Sequence, residues 1–332
     1  MALRAALISI ALACAAACSS SGGGGGGGSV TTPPESPSPP PESQSPPSPL
    51  PPPLTGEGIF NPTILNHTIG LVAITVTGDA TVATDAAGNV TLDSISFTAP
   101  GSGSVRLFYE NPPQLSELVI DAAQPNSNAS FRRSMPGHSI VCGNASCVAD
   151  NPVASAVIID PFHAATNWNY QTFGVWISNS PTALFGAFSA GAPTPASTVL
   201  QMTGSAVFRG LTAGIYVDGT GTPFATASTM TANVDFSTRN IGFSTSDMGL
   251  VNINNGAEST RSDLRISGTL TFPSGHSFSG NITTAQPNPS DRLTGMASGR
   301  FYGPAAHEIG GVYTLSRSGT PESMIGGFGG KR

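Results

Sequence analysis

The sequence predicts an all-β protein, with a β-barrel over its C-terminal part and a separate β-rich sub-domain before it. Three observations carry this. No long stretch keeps apolar residues at the three-and-four spacing of a helix. Short runs rich in β-branched residues recur along the chain between Gly, Pro, Asn and Asp turn signals. Near the C-terminus, apolar and polar residues alternate strictly, as they do on a strand with one buried face. Composition agrees. The 332 residues include 40 Gly and 29 Pro, and only 10% are charged, against about 25% in an average protein. Lys331 is the single lysine. So little charge excludes a coiled coil or a protein of long amphipathic helices. A net charge of −6 argues against nucleic acid as a partner, because phosphate would be repelled.

The first element is a targeting segment, residues 1–17. Arg4 precedes an apolar run from Ala5 to Ala17, of signal-peptide length and too short to span a bilayer. Ala15, Ala16 and Ala17 lead into Cys18, followed by Ser19, Ser20, Ser21 and the glycines Gly22–Gly28. Small residues ending in Cys before a Ser/Gly tract resemble a bacterial lipoprotein signal. That resemblance implies that Cys18 is the lipidated first residue of the mature chain. Cys14 is a second candidate, but cleavage there leaves a short apolar core. Residues 18–56 then form a Gly/Ser/Pro-rich tether with too few apolar side chains for a core. Its Pro-rich section, Pro33 to Pro53, favours extended polyproline II of about 65 Å at about 3.1 Å per residue.

The next part, residues 57–195, reads as strands of uneven spacing. Thr68 to Thr77 is rich in β-branched residues and is followed by a Gly78-Asp79 turn signal. Asp85 to Gly88 punctuates before Val90 to Thr98. Further runs are Val105 to Tyr109, Leu118 to Ile120, Val153 to Ile159 and Phe173 to Ile177. Gly191, Pro193 and Pro195 interrupt the pattern and set the boundary.

Residues 196–332 are more regular. Leu264, Ile266, Gly268, Leu270 and Phe272 alternate with Arg265, Ser267, Thr269 and Thr271. Met230, Ala232, Val234 and Phe236 alternate with Thr231, Asn233 and Asp235. Pro273-Ser274-Gly275 separates the first of these strands from Ser277 to Thr283, which suggests a hairpin. Eight or nine such strands fit between 199 and 329. Closure into a barrel removes their exposed edges.

Two cysteines remain beyond the signal, Cys142 and Cys147, with Gly143-Asn144-Ala145-Ser146 between them. In an exported protein a disulfide is the default. Zinc is the rival, but its spacing fits loosely and no second pair follows. The five histidines, His67, His138, His163, His276 and His307, stand in turn-like surroundings with no two-His spacing. We therefore expect surface or turn roles, no metal site and no cofactor. Catalysis finds no support either. No Gly-x-Ser-x-Gly elbow stands at a strand-to-helix junction, and no phosphate loop or paired-His metalloprotease helix is present. Gly275-His276-Ser277 sets His beside Ser, but strand neighbours face opposite ways.

The last forty residues carry the most specific pattern. Gly295 and Gly299 permit close backbone approach within a strand. Phe301 and Tyr302 bring packing area. Gly303 and Pro304 open a turn, which Pro304 can make helical across Ala305 to His307. Glu308 leads into a strand containing Gly310 and Gly311. Phe328, followed by Gly329 and Gly330, lies on a last strand that would close the barrel. This order, Gly299-Arg-Phe-Tyr-Gly-Pro-Ala-Ala-His-Glu-Ile-Gly-Gly311 with Phe328-Gly-Gly-Lys-Arg332, resembles the barrel signature of the transferrin-binding protein B-like surface lipoproteins. That family also includes factor H-binding protein and haemoglobin-binding relatives. Tyr170 to Trp176, Thr203 to Gly210 and Ala232 to Phe236 look similar too. The resemblance implies an eight-stranded antiparallel barrel preceded by a β-rich handle. It implies a lipid anchor in the outer membrane and display on the cell surface, often with a dedicated translocator or receptor partner. It implies binding rather than catalysis, with a protein, haem or iron-carrier ligand; a structural, adhesive or immune-evasion role is the alternative. The motif residues are architectural in this family and its ligand-contacting loops vary, so no ligand-binding residue is carried over.

Overall fold

The computed structural model describes residues 58–61, 65–111, 113–122, 127–178 and 182–332. The targeting segment, Cys18 and the tether lie outside the described residues. Ten strands make up the handle: β1 (Thr68–Thr84), β2 (Val90–Phe97), β3 (Gly101–Glu110), β4 (Gln114–Asp121), β5 (Ala129–Arg132), β6 (Ser139–Gly143), β7 (Ser146–Asp150), β8 (Ala154–Ile159), β9 (Gln171–Ser178) and β10 (Thr182–Gly191). They form one sheet in the order β5-β4-β3-β1-β10-β9-β8-β7-β6, with β2 added along the far half of β1. The sheet curls until β4 and β5 approach β6, which leaves it nearly closed. Leu107, Leu118, Phe131, Ile158, Trp176 and Phe188 fill its interior.

The Gly78-Asp79 turn signal is corrected by this sheet. β1 runs straight through it, paired with β10 along its length, and Gly78 lies under two rings. A Cβ there would come 2.7 Å from both Phe97 and Phe185, so the missing side chain serves packing. The chain reverses later, where the Asp85 carboxylate accepts the Ala87 and Asn89 N–H groups at 2.9 and 2.8 Å and Gly88 takes a φ of +86°. That is the Asp-headed turn favoured by a short side-chain acceptor. Cys142 and Cys147 stand opposite each other on β6 and β7 and are joined by a disulfide. Asn144 and Ala145 between the strands both have positive φ, the arrangement of a tight two-residue hairpin.

The second half opens with a short helix, α1 (Ala196–Gln201). It continues with β11 (Ser205–Val217), β12 (Pro223–Asp235), β13 (Asn240–Thr245), β14 (Met248–Asn252), β15 (Glu258–Arg261), β16 (Ile266–Thr271), β17 (Ser277–Thr284), β18 (Thr294–Tyr302), β19 (Glu308–Ser316) and β20 (Ser323–Lys331). Eight of these close in the order β11-β20-β19-β18-β17-β16-β13-β12, and β12 pairs back to β11. This is the expected antiparallel barrel, with two further strands. The β14–β15 hairpin hangs from the first half of β12. Inward residues such as Phe208, Phe243, Leu270, Phe278 and Phe328 pack the barrel solid.

Handle and barrel share a third core. Leu211, Ala213, Ile215, Val312 and Ile325 on the barrel's outer face pack against Phe173, Val175, Ile177, Phe185 and Ala187 of the handle. The contact is close at β20, where a Cβ on Gly327 would meet the Phe173 ring at 2.9 Å and the Phe188 carbonyl at 3.1 Å. A glycine here lets the barrel wall lie directly against the handle.

Candidate functional site

The C-terminal motif lies where the two halves meet. Antiparallel register sets Gly299 opposite Gly311, Gly311 opposite Phe328, Gly310 opposite Gly329 and Glu308 opposite Lys331. One patch of three adjacent strands therefore holds residues spread over thirty positions. Phe301 points inward and touches the rings of Phe208, Phe236, Phe272 and Phe278, with centroids 5.1–6.1 Å apart. Phe328 also points inward, 4.9 Å from the Phe243 ring. Gly311 lies beneath it, where a Cβ would come 2.6 Å from the Phe328 ring.

Tyr302 is fully buried against the handle instead, its hydroxyl 3.0 Å from that of Ser189. Burial pushes its pKa up to about 12. The Gly303 N–H donates to Ala192 O at 2.9 Å, and the Thr194 hydroxyl donates to Gly303 O at 2.6 Å. The segment at Pro304 is a turn rather than the helical turn expected. Gly303 and Ala306 both adopt left-handed backbone, at φ +82° and +50°, and helix cannot propagate through such residues.

Glu308 is the acidic member of this patch, and only 2% exposed. Its two carboxylate oxygens accept the backbone N–H groups of Asn169 and Tyr170 at 2.7 and 3.1 Å. Lys331 beside it donates to Asn167 O at 3.3 Å, and His307 stacks on Tyr170 with centroids 5.5 Å apart. The carboxylate thus fastens a handle loop to the barrel. Burial pushes the Glu308 pKa up from the ordinary 4.5 to about 7, opposed by the N–H donors and by Lys331. A carboxyl raised on folding favours the folded state when protonated. That contribution is full below about pH 4.5 and is lost as pH rises through about 7; it is on the order of 3 kcal/mol. Between pH 5 and 8 the melting temperature should therefore fall more steeply for the wild type than for Glu308→Gln. Parallel curves would contradict this role.

Among the described residues, three clefts are prominent. One, of about 760 Å³, separates the β14–β15 hairpin from the barrel wall. Several of its polar groups already have partners. Ser246 accepts the Thr229 N–H and Thr245 the Ile266 N–H, while Asp247 pairs with Arg265 at 3.3 Å. The second, about 410 Å³, includes Tyr216, Arg317 and Glu322. Its arginines are matched by carboxylates: Arg317 pairs with Glu322 and Asp291, Arg261 pairs with Asp263, and Tyr216 donates to Glu322 at 2.6 Å. The third, about 400 Å³, is a crevice between handle and barrel that includes Ser102 and Arg300. Among the described residues no cluster of three His, Cys, Asp or Glu could hold a metal ion.

Two histidines differ from the surface reading. His276 and His307 each bury a ring Nδ1 without a hydrogen-bond partner. Burial lowers both pKa values, assisted by the charges of Arg300 and Arg332 respectively. Sequence reasoning also missed the partners of the motif. Asn169 and Tyr170 lie 139 and 138 residues from Glu308, and Ser189 lies 113 from Tyr302. No spacing rule reaches so far.

A solidly packed antiparallel barrel, clasped against a curled β handle by its own last three strands, defines a class of two-part β protein. Residues 194–332 match the family of C-lobe and N-lobe beta barrels of Tf-binding protein B, so the barrel part of this chain is similar to those barrels. Solved structures with a similar trace include transferrin-binding protein B of Neisseria meningitidis serogroup B, at 17% identity and TM-score 0.38. That match covers 70% of this chain and 53% of the other, so the chain spans about half its length. The haemoglobin receptor HpuA of Kingella denitrificans matches at 15% identity and TM-score 0.38, over 84% of this chain and 90% of that one. A comparison with curated proteins finds no match.

Proposed function

We propose that this protein is a surface lipoprotein that binds a protein or small-molecule ligand outside the cell, with iron-carrier proteins as the leading class. The match of residues 194–332 to barrels of a transferrin-binding protein is the observation that supports this most directly. In this reading Cys18 carries the lipid anchor in the outer membrane, the segment to residue 56 holds the head away from the surface, and a translocator or receptor works beside it. The handle, residues 57–195, and the barrel, residues 196–332, act together as the head. The barrel interior is filled by side chains, so the ligand is met on the outer surface and its clefts. Binding, not turnover, is the activity.

The experiment is a binding panel. The protein is immobilised and exposed in turn to apo- and iron-loaded transferrin, haemoglobin, free haem and whole serum. Saturable retention of an iron or haem carrier is expected. Retention of a serum protein that carries neither would favour the immune-evasion alternative, and a blank across the panel would overturn the reading.

A further inference from the structure

We propose that the crevice between handle and barrel binds the anionic group of a small hydrophilic ligand, a carboxylate or a phosphate, on the Arg300 guanidinium and the serine hydroxyls around it. This site is separate from the iron-carrier reading and does not depend on it.

Cations are scarce in this protein. The whole chain has thirteen, and nearly all in the described residues are already engaged. Arg106, Arg132, Arg261, Arg265 and Arg317 face carboxylates. Arg133, Arg239, Arg292 and Lys331 donate to backbone carbonyls, and Arg332 lies over the Phe208 and Phe236 rings. Arg209 has no partner but lies exposed on β11. Arg300 is different. It is half-buried, its Nε is buried without an acceptor, and among the described residues no ion pair or hydrogen bond reaches its guanidinium. In an acidic protein a cation left unmatched in a concave site is a candidate for an external anion.

The surroundings point the same way. Alternation on β17 and β18 turns Phe278, Ala297 and Phe301 into the barrel and leaves Ser277, Ser279, Ser298 and Arg300 on the outer face. Register places Ser277 beside Arg300 and Ser279 beside Ser298. Ser102 of the handle closes the other side. None of these four serine side chains is hydrogen-bonded to another of the described residues. No Asp or Glu lines this crevice, whereas both other clefts contain carboxylates that neutralise their arginines. The arrangement offers a positive charge and several neutral donors to an oxyanion. A volume near 400 Å³ suits a small molecule, and the hydroxyl-rich wall suits a hydrophilic anion better than an apolar macrocycle. Occupation would join the two halves of the head, so it should stabilise the fold by mass action.

The test is a thermal-shift and calorimetric titration of the full chain with inorganic phosphate and, separately, citrate, at ionic strength held constant with chloride. One of the two should raise the melting temperature saturably and give a binding isotherm, and which one does so separates phosphate from carboxylate recognition. Arg300→Gln should weaken that binding at least about tenfold, the order expected for loss of a charge-assisted hydrogen bond. Arg209→Gln should leave it unchanged. Phosphate and citrate also stabilise proteins non-specifically, so an equal rise in wild type and Arg300→Gln would overturn the proposal, as would the absence of any saturable rise. If Arg300→Gln does not fold, the pair Ser277→Ala and Ser298→Ala takes its place, and unchanged affinity in both would likewise overturn the proposal.

Discussion

Replacing Phe328 with alanine is expected to destabilise the protein by about 3–5 kcal/mol, the range for truncating a fully buried aromatic. The ring is completely buried, 4.9 Å from Phe243 and 6.3 Å from Phe278 by centroid. Its strand is hydrogen-bonded on both sides, to β11 and to β19. Two flanking ladders keep the wall from collapsing into the space left behind, so the cavity term should be large. Gly311, directly beneath the ring, has no side chain to fill it. Thermal denaturation should show a fall on the order of 10 °C. An unchanged melting temperature would mean that the ring does not fill the barrel.

Trp176→Ala should have an effect of similar size in the other half, again about 3–5 kcal/mol. Trp176 is 1% exposed and packs in the handle interior beside Phe188, with centroids 6.3 Å apart. Its ring covers Gly186 of β10, where a Cβ would overlap the indole. Phe328 lies in the barrel core and Trp176 in the handle core, but the shared core between the two halves couples them. Each substitution should therefore lower one common transition, seen alike by far-UV circular dichroism and by tryptophan fluorescence, from Trp168 in both variants and also from Trp176 in Phe328→Ala. A variant that loses only one signal would show that the halves unfold separately.

The barrel was the most legible part of the sequence. Its wall has one packed and one polar face over strands such as Ile266–Thr271, and period-two alternation reports that arrangement directly. Where burial differs, the signal fades. β15, Glu258–Arg261, has no apolar residue and no buried position, so nothing in its pattern marks it as a strand. Gly78 read as a turn because glycine and aspartate usually make one; its real role depends on two rings that reach it from other strands. The handle's order was also hidden, since β1 pairs with β10 across more than a hundred residues. Local pattern carries no record of such pairing. The candidate sites show the same division. The motif Gly299 to Gly311 is readable as a string, but that Glu308 holds a loop near residue 170 is a fact of three-dimensional packing. That Arg300 lacks an acidic neighbour is another. It follows from how two separate sheets meet.

Handle and barrel are held as one body by the shared core and by Glu308. Differential scanning calorimetry of the whole chain tests this most directly. One endotherm is expected, with calorimetric and van't Hoff enthalpies equal, and it should move as a unit in Phe328→Ala and Trp176→Ala. Two resolved endotherms, with each substitution moving only one of them, would contradict it.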